Sequence, residues 1–180
     1  EDILTYQEIL RIAEDGAGLG IRRVKVTGGE PLVRKGVIQL IRKLTAIDGI
    51  QDVTMTTNGI LLGEMAQELA ASGLSSVNIS LDTLDPVRFH RITRRDCFAD
   101  VMKGIEAAGK SGLMVKLNCA VMEELCREDV LAFAEYSVKN GIPVRFIEMM
   151  PIGQGRKYHA MDNEELLAVI SEEYSDVRIS

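Results

Sequence analysis

The chain has 180 residues, a mass of 19.8 kDa, 46% apolar side chains and 27% charged ones, a composition that excludes disordered and fibrous proteins. Subtracting 27 acidic from 21 basic side chains leaves a net charge of −6, which argues against nucleic acid or a membrane surface as partner. No apolar run is long enough to cross a bilayer, and residues 1–5 carry no basic region followed by an apolar one, so we expect neither a membrane span nor a signal peptide. We expect one cytoplasmic domain over residues 1–180.

The three cysteines predict neither a disulfide framework nor a metal site. Cys97, Cys119 and Cys126 are odd in number and lie 22 and 7 positions apart, which fits no C-x-x-C knuckle. We therefore expect reduced thiols and no metal ligand among them.

The predicted elements alternate between helix and strand. A first helix is predicted over residues 6–19, because Thr5 and Glu8 form a capping box before it. Runs of β-branched residues then predict five strands, at residues 22–27, 52–57, 76–81, 115–121 and 143–148. Helices are predicted between them, and a second capping box, Asp162 with Glu165, begins a last helix. The helices are expected to bury Val37, Leu40, Ile41 and Leu44; Leu62, Met65 and Leu69; Val101, Ile105 and Ala108; Val130, Phe133, Ala134 and Val138.

This alternation is typical of the α/β class with a parallel sheet. A closed barrel of eight βα units takes about 250 residues, so the chain predicts a partial parallel (βα) barrel, an incomplete TIM-like core. A doubly wound open sheet is the alternative. The chain opens on a helix, and residues 177–179 are expected to begin another strand, so we expect both ends to lie within the repeat.

Alternate strand residues divide into an apolar and a polar face. The apolar face carries Val24, Val26, Val53, Met55, Val77, Ile79, Leu81, Val115, Leu117, Cys119 and Val121. The polar face carries Lys25, Thr27, Thr54, Thr56, Asn58, Asn78, Ser80, Asp82, Lys116 and Asn118. Unsatisfied buried polar groups are costly, so the pattern predicts a polar, anionic ligand near Lys25 and Lys116. The alternative is a network in which these side chains satisfy one another.

The turn after the first strand, Thr27-Gly28-Gly29-Glu30-Pro31, predicts a second ligand contact. Two glycines let a ligand approach the backbone, and a carboxylate beside exposed amides suits the amino and carboxylate groups of an amino-acid-like molecule. The spacing fits neither the dinucleotide fingerprint nor the phosphate loop.

Four segments together resemble the radical S-adenosylmethionine superfamily, and within it the GTP 3′,8-cyclase family of molybdenum-cofactor biosynthesis. They are Val24 to Arg34, Thr56-Thr57-Asn58-Gly59, Asn78-Ile79-Ser80-Leu81-Asp82 and Arg145 to Pro151. The resemblance runs in register over essentially the whole chain. It implies a partial barrel that binds a [4Fe–4S] cluster and S-adenosylmethionine, cleaves the latter reductively, and uses the resulting radical on GTP in the first step of molybdopterin synthesis.

The resemblance also assigns residues to ligands. It implies that Gly28, Gly29 and Glu30 hold the methionyl group of S-adenosylmethionine, and that Ser80 and Met150 contact the same molecule. It implies that Thr56 and Lys116 contact GTP. Lys25 stands where the family usually has an arginine that contacts GTP; the lysine keeps the positive charge but loses the two-pronged geometry.

The cysteines depart from the family pattern. The resemblance places both cluster-binding cysteine sets outside this chain, and Cys97, Cys119 and Cys126 match neither set. Iron–sulfur clusters are held by thiolates, so we expect the isolated chain to bind no cluster and to be inactive, although its parent protein is expected to be an enzyme.

Three other interpretations of the sequence remain open. The chain could belong to another radical S-adenosylmethionine enzyme, such as one that matures a peptide, or to an aldolase-like barrel in which Lys116 forms a Schiff base. It could also act only as a folded module, or form homo-oligomers through exposed sheet edges. The Arg88 to Arg95 stretch is expected to be solvated, and His90 and His159 are assigned no role.

Overall fold

The protein is described by a computed structural model over residues 3–123, 125–148 and 161–174. Within these ranges the chain forms seven α-helices, five strands and one short 3₁₀ helix at Pro31–Val33. The strands are β1 (Arg23–Val26), β2 (Asp52–Thr57), β3 (Ser76–Ser80), β4 (Met114–Val121) and β5 (Val144–Glu148). The helices are α1 (Tyr6–Gly18), α2 (Val37–Thr45), α3 (Leu62–Ala71), α4 (Pro86–Thr93), α5 (Phe98–Lys110), α6 (Arg127–Asn140) and α7 (Asn163–Glu173).

All five predicted strands are present, and the sheet is parallel. The strand order is β1-β2-β3-β4-β5, with Val24 opposite Val53 in the first pair and Leu117 opposite Val144 in the last. The sheet is not closed, in agreement with a partial barrel of the α/β class. The strand expected at residues 177–179 lies outside the described residues.

Helix starts follow the capping signals. The Thr5 hydroxyl accepts a hydrogen bond from the Glu8 amide, and the Glu8 carboxylate accepts one from the Thr5 amide at 2.7 Å. Asp162 and Glu165 form the same reciprocal pair before α7. Each pair satisfies amides that have no partner inside the helix, so both predicted boundaries are confirmed.

The chain divides into two compact units, Glu1–Ile79 with Ala99–Val115 and Ser80–Phe98 with Lys116–Ser180. The first has its own apolar core, whose fully buried members include Ile41, Leu44, Met55, Leu62, Leu69 and Ile105. The second buries Leu117, Val130 and Phe133, and the ring of Phe133 meets that of Phe146 edge-on at 6.0 Å. Organisation as a single domain stays a prediction.

The apolar face is the more buried face of β1, β2 and β4, as expected, whereas β3 is buried on both faces as far as Ile79. Along β2 and β4, buried apolar residues alternate with half-buried polar ones, which is the pattern of strands covered by helices on one side. Asn78 differs from the other polar-face residues because only 5% of it is exposed.

Two expectations about helices are wrong. Val138, expected on the buried face of α6, is 72% exposed, because the last turn of that helix extends beyond the core. The Arg88 to Arg95 stretch is not uniformly solvated either: it forms most of α4, and the Arg88 side chain is only 25% exposed and paired with Asp129.

In the described part of the chain, every helix is too short or too polar to cross a membrane.

Candidate functional site

The turn after β1 exposes its backbone where the sequence predicts a ligand contact. Gly28 has a φ of +152°, a conformation that side chains disfavour. Gly29 has no such requirement, and a Cβ built on it would meet no atom within 4 Å. The described chain leaves open space beside residue 29, so a ligand can approach its backbone closely.

The next residue, Glu30, is held firmly by the chain itself. Its Oε1 accepts hydrogen bonds from the Leu32 amide at 3.0 Å and from the Thr57 hydroxyl at 2.7 Å, and its Oε2 accepts one from the Asn58 amide at 2.7 Å. An ionised carboxylate offers about four acceptor positions, and three are used here. The Glu30 carboxylate therefore joins the turn after β1 to the turn after β2 and keeps one position open.

The turn after β2 is built by the side chains of the Thr-Thr-Asn-Gly segment. The Thr57 hydroxyl accepts a hydrogen bond from the Gly59 amide at 3.1 Å, and Asn58 Oδ1 accepts one from the Ile60 amide at 3.0 Å. These local bonds are typical of threonine and asparagine in turns. They orient the Thr57 hydroxyl and the Asn58 amide toward Glu30.

Replacing Glu30 with alanine is expected to lower the free energy of unfolding by about 1–3 kcal/mol, because three donors, two of them on buried residues, lose their acceptor. Urea denaturation measures this loss. The exposed Glu68→Ala variant on α3 is the control and should unfold at the wild-type urea concentration. Equal midpoints for the two variants would show that the carboxylate does not join the turns.

The other predicted ligand residues of the first unit are Lys25 and Thr56. Lys25 is exposed on β1 opposite Thr54, and Thr56 is half-buried on β2 opposite Asn78. The side chains of Lys25 and Thr56 form no hydrogen bond or ion pair with any described residue. Both are therefore available to a ligand on the polar face.

In the second unit, β3 continues past Ser80 as an ordered segment beside β4. The Leu81 amide donates to the Asn118 carbonyl at 2.9 Å, and the Ala120 amide donates to Asp82 Oδ1 at 2.9 Å. Ser80 is exposed and Lys116 is half-buried. Burial raises the pKa of the Asp82 carboxyl, and the hydrogen bond from Ala120 only partly offsets this effect.

A buried polar cluster links α4 to the start of α6. Asp129, 4% exposed, accepts hydrogen bonds from the buried Thr83 hydroxyl at 2.6 Å and from the Cys126 amide at 3.2 Å. It also pairs with the Arg88 guanidinium, which contacts the Cys126 thiol as well. These groups satisfy one another, so the cluster acts as a structural clamp.

Comparison with known families decides the identity of this fold. The model of the radical SAM superfamily matches residues 1–137. The chain belongs to the radical SAM superfamily. This confirms the resemblance inferred from the Gly-Gly-Glu-Pro turn and the three segments that follow it.

Curated relatives indicate which family within the superfamily this chain resembles. A GTP 3′,8-cyclase of Clostridium perfringens (strain SM101 / Type A) is 42% identical over 173 residues, which cover 96% of this chain and 54% of that protein. The GTP 3′,8-cyclase of Heliobacterium modesticaldum is 49% identical over 155 residues, 86% of this chain and 47% of that protein. The chain thus spans about half the length of the curated relatives it matches.

Solved structures share the fold at low sequence identity. Streptococcus suis SuiB bound to S-adenosylmethionine gives a TM-score of 0.77 at 17% identity, over 96% of this chain and 41% of that one. Methylornithine synthase (PylB) gives 0.72 at 17% identity, over 95% and 52%. These similarities establish that the fold of this radical SAM chain recurs in both proteins.

The cysteines of this radical SAM chain do not fit an iron–sulfur cluster. Cys119 is fully buried, and burial together with the charges of Asp82 and Asp129 raises the pKa of its thiol well above the ordinary value, which disfavours the thiolate that iron requires. No three of the described histidine, cysteine, aspartate and glutamate side chains are grouped as metal ligands. We therefore assign no cluster ligand to these residues.

The sequence predicted the turn that carries Gly28, Gly29 and Glu30, but not the residues that hold the Glu30 carboxylate. Gly28, Gly29 and Glu30 share one turn as predicted, whereas Met150 lies outside the described residues. The sequence assigned Thr57 only to a family segment and Asn58 to that segment and the polar strand face, and it did not predict that both hold Glu30. The signal that could have assigned them is local, since threonine and asparagine directly before a glycine are turn-forming residues with spare hydrogen-bonding groups.

Proposed function

We propose that this chain is the central part of a GTP 3′,8-cyclase, an enzyme that uses S-adenosylmethionine and a [4Fe–4S] cluster to rearrange GTP in the first step of molybdopterin synthesis. The observation that carries the proposal is the exposed Gly28-Gly29 backbone beside a fixed Glu30 carboxylate. Relatives with that name, 42% and 49% identical over most of the chain, support it.

The turn after β1 suits the methionyl group of S-adenosylmethionine. Exposed backbone at residues 28 and 29 can approach the amino-acid end of the molecule closely, because no Cβ intervenes. The remaining acceptor position on Glu30 suits its ammonium group. Ser80 and Met150 are assigned to the same cofactor through the resemblance alone. When bound and reduced by one electron, S-adenosylmethionine would supply the radical that begins the reaction.

The polar-face lysines suit the triphosphate of GTP. Lys25 and Lys116 lie on strands, and neither pairs with a carboxylate among the described residues. An ammonium without a partner attracts phosphate as a point charge. Thr56, also without a hydrogen-bond partner in the described chain, adds a hydroxyl that either donates or accepts.

The test is formation of product by the full-length protein under anaerobic, reducing conditions with S-adenosylmethionine and GTP. We expect 5′-deoxyadenosine and a 3′,8-cyclised guanosine nucleotide together. Lys116→Ala should weaken GTP binding at least tenfold in calorimetry, and Lys139→Ala, at an exposed position on α6, should leave it unchanged. Turnover of a peptide without GTP binding would contradict the proposal and favour a peptide-maturing enzyme.

Gly29→Ala is expected to weaken S-adenosylmethionine binding at least tenfold without loss of stability. The new methyl group would meet open space in the free protein, so it interferes only when a ligand lies there. Equilibrium dialysis with labelled S-adenosylmethionine measures binding, and thermal unfolding measures stability. Gly18→Ala is the matched control, because its Cβ also meets open space. Wild-type affinity in Gly29→Ala would remove the turn from the cofactor site.

A cytoplasmic location, the absence of nucleic-acid and membrane partners, self-association through sheet edges and inactivity of the chain alone stay predictions. Light scattering of the chain at high concentration tests the self-association: oligomers are expected, and a monomer would contradict it.

A further inference from the structure

Arg34 and Tyr6 form a contact between the segment that follows the turn after β1 and the start of α1. The Arg34 guanidinium lies over the Tyr6 ring, 4.2 Å from its centroid, and its Nη2 donates a hydrogen bond to the Leu4 carbonyl at 2.5 Å. In return, the Tyr6 hydroxyl donates to the Arg34 carbonyl at 3.4 Å. Three contacts of different kinds therefore join two segments of the first compact unit that are distant in sequence.

The Tyr6 ring also lies close to the start of α2. Gly36, the residue before that helix, has a φ of +84°, and a Cβ built on it would lie 3.2 Å from Tyr6 Cε2. The Gly36 carbonyl accepts a hydrogen bond from the Leu40 amide at 3.0 Å, so residue 36 is fixed by the helix. The ring therefore has little freedom to move away from Arg34.

A short ordered segment connects Arg34 to Glu30. The Leu32 amide donates to Glu30 Oε1 at 3.0 Å, and the Arg34 amide donates to the Pro31 carbonyl at 3.1 Å. Between them lies the 3₁₀ helix Pro31–Val33, whose first two residues are buried, and proline restricts the backbone further. A displacement of Arg34 is therefore transmitted to Glu30 over only four residues.

The two glycines before Glu30 need this support. Gly28 and Gly29 are exposed, and a Cβ at either position would meet no atom within 4 Å, so side-chain packing does not fix them. Glycine loses more conformational entropy on ordering than any other residue. A ligand that binds this turn bears that cost, and the cost is smaller when the neighbouring residues are already held in place.

We propose that Arg34 is a positioning residue, which anchors the turn after β1 to the start of α1 and so prepares it for S-adenosylmethionine. The inference rests on the proposed function, which assigns this turn to the methionyl group. Arg34 acts on the cofactor through the turn and does not touch it. An arginine suits this task because its planar guanidinium stacks on an aromatic ring and donates to a carbonyl at the same time, which a lysine does less well.

Binding of S-adenosylmethionine to the full-length protein, measured by equilibrium dialysis, tests the anchor. Arg34→Met keeps a long side chain but loses the charge and the hydrogen bond, and its Kd should rise at least fivefold. Arg34→Lys keeps the charge, so its Kd should rise less than threefold. Tyr6→Leu removes the ring from the same contact and should match Arg34→Met. Ser72→Ala is the control for lost stability, because it removes a buried hydrogen bond to the Leu69 carbonyl elsewhere in the unit, and should bind within twofold of the wild type.

Hydrogen exchange provides a readout that a purely structural role would not change. Binding and anchoring are linked reciprocally, so a ligand on the turn should protect the start of α1. At saturating S-adenosylmethionine, exchange of the amides at residues 5–9 should slow at least fivefold in the wild type. In Arg34→Met, also saturated, it should slow less than twofold.

Wild-type affinity in both Arg34→Met and Tyr6→Leu would overturn the proposal while leaving the cyclase function intact. Equal protection of residues 5–9 in Arg34→Met and the wild type would do the same. A fivefold loss in Ser72→Ala as well would assign the effect to stability alone. If the wild-type protein binds no S-adenosylmethionine, the proposed function fails, and this proposal fails with it.

Discussion

Replacing Asp129 with alanine is expected to lower the free energy of unfolding by about 3–5 kcal/mol, the range measured when one member of a buried ion pair is removed. The substitution leaves the Arg88 guanidinium and the fully buried Thr83 hydroxyl without their common acceptor. It also removes the acceptor of the Cys126 amide at the start of α6. Urea denaturation followed by circular dichroism measures the change.

Two further variants define what Asp129 contributes. Asp129→Asn keeps an oxygen for Thr83 but loses the charge opposite Arg88, so its loss of stability should be smaller than that of alanine. Glu106→Ala, which breaks an exposed pair with Lys110, should leave the urea midpoint almost unchanged, because surface pairs contribute little. A midpoint for Asp129→Ala equal to that of Glu106→Ala would show that the buried cluster is not a clamp.

Replacing Gly104 with alanine is expected to destabilise the protein by about 3 kcal/mol or more, at the upper end of the range for overpacked cores. A Cβ at this position of α5 would lie 2.4 Å from the Gly59 carbonyl oxygen and 3.2 Å from Leu62 Cβ. The first of these atoms belongs to the backbone, which cannot move aside as a side chain can. Helix α5 therefore packs against the turn after β2 only because residue 104 has no side chain.

A second glycine of the same helix provides a control whose replacement should raise stability instead of lowering it. Gly109→Ala would place its Cβ in open space, so the higher helix propensity of alanine should stabilise the protein by up to about 1 kcal/mol. Thermal unfolding of both variants gives the comparison directly. Destabilisation of similar size in both would mean that the close approach at Gly104 has no special effect.

Much of the fold could be predicted because local chemistry determines it. Strand β2 has the predicted limits, since polar and apolar residues alternate along it from Asp52 to Thr56. The starts of α1 and α7 agree because each carries a capping box within four consecutive residues. Alternation along β4 likewise indicated which face is buried.

The remainder depends on contacts between residues that are distant in sequence. Glu30 contacts Thr57 and Asn58, which lie 27 and 28 positions away in the sequence, and Arg88 contacts Asp129, 41 positions away. Hydrophobic periodicity does not predict contacts at such separations. The carboxylate of Glu30 was expected to serve a ligand, and three of its acceptor positions instead serve the chain. Val138 fits the helical spacing of α6 but is 72% exposed in the last turn of that helix, which spacing alone does not reveal.

The hydrogen bonds of the Glu30 carboxylate tie two turns of this radical SAM fold together. The carboxylate connects the turn proposed for the cofactor to the loop that follows Thr56, the residue proposed for the substrate. Loss of order in either turn therefore removes hydrogen bonds that hold the other turn in place. Tuning of substrate preference by substitutions near Thr57 would therefore carry a penalty in cofactor affinity.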